Sequence, residues 1–177
     1  MIGKRGQEGA PFELLVAVVI MGFVLVAGFR VIQVLQVEEC KGRLDNNMEL
    51  IKTAIENVAQ GEGQRSVYFS LPECYPQQDS MLEVKHRTEK AICSEFCPGA
   101  RIECTLLTFN SPEHSNWKCL RISSATDFPQ SCEDFDESEY EVSRWNIAPI
   151  EEGQYILVKK FNEFSQQPRI CAYKKVI

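Results

Sequence analysis

The residues able to do chemistry are few and unevenly placed. Eight cysteines stand at Cys40, Cys74, Cys93, Cys97, Cys104, Cys119, Cys132 and Cys171, accompanied by only two histidines, His86 and His114. Cysteines can bind metal, attack an electrophile or oxidise to disulfides, and their spacing separates these outcomes. A structural zinc or iron–sulfur site takes short Cys/His pairs in regular spacing. Here Cys93-Ser-Glu-Phe-Cys97 is one short pair, with Cys104 and His114 further along and no second short pair. A redox-active CxxC is absent. The even count points instead to disulfides throughout, with connectivity left open. One pairing has a geometric argument. Cys104 and Cys119 face each other if the strands flanking the turn-rich segment Asn110-Ser-Pro-Glu-His-Ser115 close as a symmetric hairpin.

Acidic residues form the other cluster, six of the nine positions from Glu133 to Glu141. Asp134, Asp136 and Ser138 fall on the first alternate ligand positions of an EF-hand, but Glu139 stands where its glycine belongs and Trp145 where its bidentate acid belongs. The run therefore reads as a solvated loop. His86 and His114 read as surface residues, and Trp117, Trp145, Tyr140 and Phe135 as core candidates. No Gly-rich phosphate loop, nucleophile elbow or zincin motif occurs. No catalytic residue, metal or cofactor is assigned, and the chain is not expected to be an enzyme. A formal charge of −6 argues against nucleic acid as a partner, because phosphate binding needs a basic patch.

All eight cysteines follow a long apolar run. The 177 residues are 44% hydrophobic, enough for a packed core. Leu14 to Phe29 carries no charge and as a helix spans roughly 24 Å. Its flanks bring it to membrane-spanning length, with Leu14, Val16, Ile20, Phe23, Leu25 and Phe29 as its large residues. Lys4 and Arg5 precede it, so the positive-inside rule keeps the N-terminus cytoplasmic and sends the cysteines outside, where they oxidise. A Sec signal, with Val26-Ala27-Gly28 as cleavage site, and a plain single-pass anchor are both compatible with this run.

The helical pattern continues past the run. Leu44, Met48, Ile51, Ile55 and Val58 recur at intervals of four and three, one apolar stripe on a helix. Asp45, Asn46, Glu49, Lys52, Glu56 and Asn57 lie between them as an expected solvated face. No proline occurs between Phe12 and Val58, and Gly61 and Gly63 form the stop signal, so a single helix over 10–60 is expected. From Ser66 onward short β-rich runs take over: Ser66–Leu71, Ala100–Phe109, Trp117–Ile122, and Gln154–Phe161 paired with Ile170–Val176. The expected fold class is α+β, a long helix packed on one antiparallel sheet of four or five strands within a head over 64–177. Residues 1–37 carry a net charge of +1 and the remainder −7.

Lys4-Arg5-Gly6-Gln7, followed by Glu13 and the long apolar helix, resembles the class III, prepilin-type signal of archaeal type IV pilin-like proteins. The resemblance covers about sixty N-terminal residues. It implies a leader over 1–9 that a prepilin-type peptidase removes on the cytoplasmic side, after Gly6 and before Gln7 or after Gly9 and before Ala10. Cleavage at these points makes Glu13 the seventh or the fourth residue of the mature chain. The family assigns such an acid to assembly, where it offsets a new N-terminal amine. The resemblance further implies a pilin-like fold and a major or minor subunit of a surface filament, adhesive in role. Its partners would be copies of itself or related pilins through the N-terminal helix, the prepilin-type peptidase and pilus assembly machinery, and the membrane. The subunit would sit in the membrane with its head outside before assembly, and in a cell-surface filament afterwards. The alternative is a membrane-anchored extracytoplasmic binding module that does not polymerise.

Overall fold

The computed structural model describes residues 10–61, 63–75, 79–99, 102–123, 125–129, 132, 139–145, 148–161 and 166–176. It divides into two compact units, Met1–Gly42 and Arg43–Ile177. One helix, α1 (Ala10–Gln60), supplies the described residues of the first unit and the opening segment of the second. Gly61 ends it, with its N–H donating to the carbonyl of Asn57 at 2.9 Å, and Gly63 turns the chain at φ 120°, a conformation that favours glycine.

Among the described residues, the second unit is built of seven strands and a short helix around the last part of α1. The elements are β1 (Gln64–Phe69), β2 (Met81–Arg87), α2 (Lys90–Phe96), β3 (Cys104–Asn110), β4 (Ser115–Leu120), β5 (Tyr140–Ser143), β6 (Gly153–Phe161) and β7 (Pro168–Lys175). They form two antiparallel sheets rather than one, a four-stranded sheet in the order β1-β6-β7-β5 and a three-stranded sheet in the order β2-β3-β4. The hairpin of β6 and β7 follows its alternating pattern, with Leu157 opposite Ala172 and Val158 opposite Cys171. The strand β2 alternates only over Leu82 and Val84, and the seven-residue helix α2 buries only Cys93, too little pattern to announce a second sheet.

The stripe on α1 forms the centre of the core. Leu44, Met48, Ile51 and Ile55 are fully buried and Val58 nearly so. Each contributes about 1.5–3 kcal/mol by leaving water. Both sheets reach this helix. In the three-stranded sheet, Asn116 and Lys118 of β4 bond to Asp45, and their cross-strand partners Phe109 and Leu107 lie on the same face. In the four-stranded sheet, Lys159 of β6 donates to the carbonyl of Ala59 at 2.8 Å, satisfying one of the last carbonyls of the helix. Tyr155 and Leu157 share the Lys159 face and are fully buried.

β3 is buried at every position from Cys104 to Phe109, because it is covered on both sides. α1 lies over the Thr105, Leu107 and Phe109 face. On the other face, Cys104 and Leu106 pack with Cys93, Cys97 and the half-buried Ile92, Phe96 and Trp117. Replacing Ile51 with alanine is expected to destabilise the folded protein by about 2–5 kcal/mol, through lost transfer energy and the cavity left behind. Leu50→Ala, one position along at 58% exposed, is expected to shift stability by no more than about 0.5 kcal/mol. Denaturant midpoints of the oxidised full chain in detergent measure both.

Candidate functional site

The residues expected to act in processing and assembly lie at the start of α1. Gly6, Gln7 and Gly9 fall outside the described residues, and Ala10 is the first residue of the helix. Glu13 stands in the first helical turn, where the dipole favours an acid, and is exposed. From there the helix presents apolar side chains on every side. Leu14, Ile20, Phe23, Leu25 and Phe29 are all more than half exposed, with Phe23 at 73%, and Val16 is exposed as well. So are Val31, Ile32, Val34, Leu35 and Val37 beyond them. By length and composition this helix is long and apolar enough to cross a membrane. A contiguous apolar surface of this extent marks a membrane or protein interaction site.

The cysteines are oxidised, which suits an oxidising compartment. Cys93 bonds Cys104, Cys97 bonds Cys119, and Cys132 bonds Cys171, with Cα–Cα distances of 5.6, 5.2 and 6.0 Å. Cys40 and Cys74 are disulfide-bonded as well, and no free cysteine is found among the described residues. The expected Cys104–Cys119 bridge is corrected. The hairpin closes with Cys119 opposite Leu106 rather than opposite Cys104, and the turn runs between Asn110 and Ser115. Both cysteines project to the α2 side of the sheet, where Cys93 and Cys97, one helical turn apart, each take one. Two bridges thereby staple α2 to adjacent strands. Phe96 stacks on Trp117 beside them, ring centroids 4.5 Å apart.

The polar side of α1 in the second unit is solvated at Asn46 and Asn57, as expected, while the half-exposed Asp45, Glu49 and Glu56 also form a charged seam with β4 and Arg121. Lys118 of β4 reaches Asp45 at 2.6 Å and Glu49 at 3.7 Å, and Asn116 donates to Asp45 at 3.0 Å. The backbone N–H of Arg121 donates to Glu56 at 2.7 Å. The lysine bond, aided by Asn116 and opposed by partial burial, holds the Asp45 carboxyl below the usual carboxylate range. Lys52 completes the row with Glu49 at 2.7 Å.

Other residues singled out by type take plainer places. His86 on β2 lies 3.3 Å from the Thr105 hydroxyl and 4.0 Å from Glu103. His114 sits in the hairpin turn, its ring stacked near Tyr75. Trp145 is buried against Tyr155, edge to face, with Tyr155 donating to the Glu151 carbonyl and kept protonated far above neutrality by burial. The acidic residues 133–138, Phe135 included, lie outside the described residues. Among the described residues no group of three or more His, Cys, Asp or Glu is placed to hold a metal. A polar cleft of about 500 Å³ opens beside β2, lined by His86, Thr105 of β3, Thr126 and Asp127 of the stretch after β4, and Gln167 just before β7. Sequence patterning could not have found it, because four separate segments build it.

No family model, no curated protein and no solved structure matches this chain.

The seam carries a pH signature. A carboxyl whose folded-state value is depressed contributes stability that is fully present above its unfolded value, near 4, and lost as pH falls through the lower folded value. Lys118→Met is therefore expected to lower stability at pH 7 by about 1 kcal/mol or less, given the exposure of Asp45. The difference from wild type should shrink toward zero below pH 3. Guanidinium midpoints at both pH values test the sign.

Proposed function

We propose that this chain is a structural subunit, major or minor, of an archaeal type IV pilus-like surface filament with a role in adhesion. The reading rests above all on α1. It is a single helix whose first part is apolar and exposed all round, while its last part is rooted in an oxidised α+β head. A helix of this kind has two stable destinations, lipid or a bundle of its own copies, and dispersion packing in the bundle replaces lipid contacts with no polar group exposed. The Gly6 and Gly9 processing signals and Glu13 in the first helical turn belong to the same reading. Trimming would create an N-terminal amine within a few residues of that acid, a charge pair that would hold neighbouring subunits in axial register.

In this reading the chain first inserts with its head outside, is cut on the cytoplasmic side, and leaves the bilayer for the filament core. The head's negative charge keeps subunits soluble at the surface. The polar cleft beside His86 and Asp127 favours a second reading, in which the helix only anchors a head that captures a small polar ligand. Intact mass of the native protein from its own membrane or surface fraction separates the readings. Loss of residues through Gly6 or Gly9 is the expected result and supports the filament subunit. An uncut chain supports the anchored module, and a chain beginning at Phe29 ends both.

A further inference from the structure

The two outer strands of the four-stranded sheet differ from the outer strands of its neighbour. In the three-stranded sheet, the edge of β2 is occupied at Trp145 and Ile150, through Val84 N–H to the Trp145 carbonyl and Ile150 N–H to the Leu82 carbonyl. β4 leads directly into Arg121, which is tied to Glu56 and Gln60 of α1. In the four-stranded sheet no strand lies beyond β1 or β5 among the described residues. Along β1 runs an open groove of about 740 Å³, whose far wall is the flank of α1. Thr53, Ala54 and Asn57 line that wall with short uncharged side chains, and Leu50 and Tyr68 stand 58% and 64% exposed at its borders. Natural sheets cover, shorten or charge their edges, and this edge is left open beside room for another strand.

We infer that the β5 edge of one copy of this chain adds to the β1 edge of the next, continuing the sheet from subunit to subunit. Three observations favour a second copy as the occupant. The first is direction. β1–β6, β6–β7 and β7–β5 are all antiparallel, so β1 and β5 run opposite ways. Two copies in the same orientation therefore bring β5 against β1 antiparallel. A twofold pairing of β1 with β1 would instead reverse the whole head, including the last part of α1, against the parallel helices a filament needs.

The second observation is charge. Arg65 on β1 and Glu141 on β5 are exposed, and neither has an ion pair among the described residues. The third is face. Arg65 lies opposite Leu157, and Glu141 opposite Lys174, which lies opposite Tyr155. Both thus belong to the α1 side of the sheet. Setting Arg65 across from Glu141 keeps every side chain on its proper face and brings Gln64 opposite Val142 on the outer face. A one-residue slip would break that match.

This inference rests on the filament reading and supplies the contact between its heads. Its test is the full chain with Gln64→Cys and Val142→Cys together, expressed in its native cells and mildly oxidised, since cross-strand partners lie within disulfide reach. The expected result is a reductant-sensitive ladder of dimers, trimers and higher species, absent from either single variant. Adding Arg65→Glu should lower the ladder's yield by about two- to fivefold, and adding Glu141→Arg as well should restore it. Filaments seen by microscopy without a ladder would overturn the edge pairing and leave the filament reading standing. A ladder without filaments would keep the pairing and remove the filament reading, whereas absence of both removes both. A dimer formed by Gln64→Cys alone, or an adduct with another protein, would assign the groove to a different occupant and overturn the inference.

Discussion

The head is organised around one stripe of five side chains, Leu44, Met48, Ile51, Ile55 and Val58. Neither sheet is deep enough to bury its own apolar face, so both use the same helix. The four-stranded sheet contributes Tyr155 and Leu157, and the three-stranded sheet contributes Leu107 and Phe109. Burial of this kind has no direction of its own, and the polar groups around the stripe supply it. Asp45 and Glu49 meet Lys118 on one flank, and Lys159 closes the C-terminal end on the carbonyls of Ala59 and Gly61. On the flank facing β1, Thr53, Ala54 and Asn57 line an open groove that Glu49 and Arg65 also border.

That arrangement explains why the cystines lie where they do. With α1 covering one face of the three-stranded sheet, the other face needs a cover, and a seven-residue helix is too short to stay there by packing alone. Cys93 and Cys97 hold it to β3 and β4, while Cys132–Cys171 holds the segment before β5 to the central strand β7. Bridges of this kind act mainly on the unfolded chain, and they suit a domain outside the cell, where thiols oxidise and stay oxidised.

Much of the fold was legible because it rests on local periodicity. The intervals of four and three from Leu44 to Val58, the glycine stop at Gly61 and Gly63, and the alternating β6–β7 hairpin all appear as patterns within one segment. The features that were missed depend on distant segments. β2 alternates only over Leu82 and Val84 and β5 is four residues long, so their existence as strands, and the division into two sheets, came only from their partners. Asp45, Glu49 and Glu56 looked like a solvated face because nothing nearby in the chain announces Lys118 or Arg121. Cys104 and Cys119 looked like partners across a hairpin, but closure at Asn110 and Ser115 sets Cys119 opposite Leu106, and α2 brings Cys93 and Cys97 to the same face.

By itself, then, the sequence determined the elements whose cause is local: a helix unbroken by proline, apolar all round and then on one stripe, and an even set of cysteines beyond it. These follow from dihedral preference, hydrophobic period and redox chemistry, none of which needs a neighbour. Only the tertiary structure decided which cysteine meets which, which charges are paired, that two sheets share one helix, and that β1 and β5 stand at the open ends of one of them. Those are contacts between segments far apart in the chain, and their geometry exists only once both surfaces have been brought to the same helix.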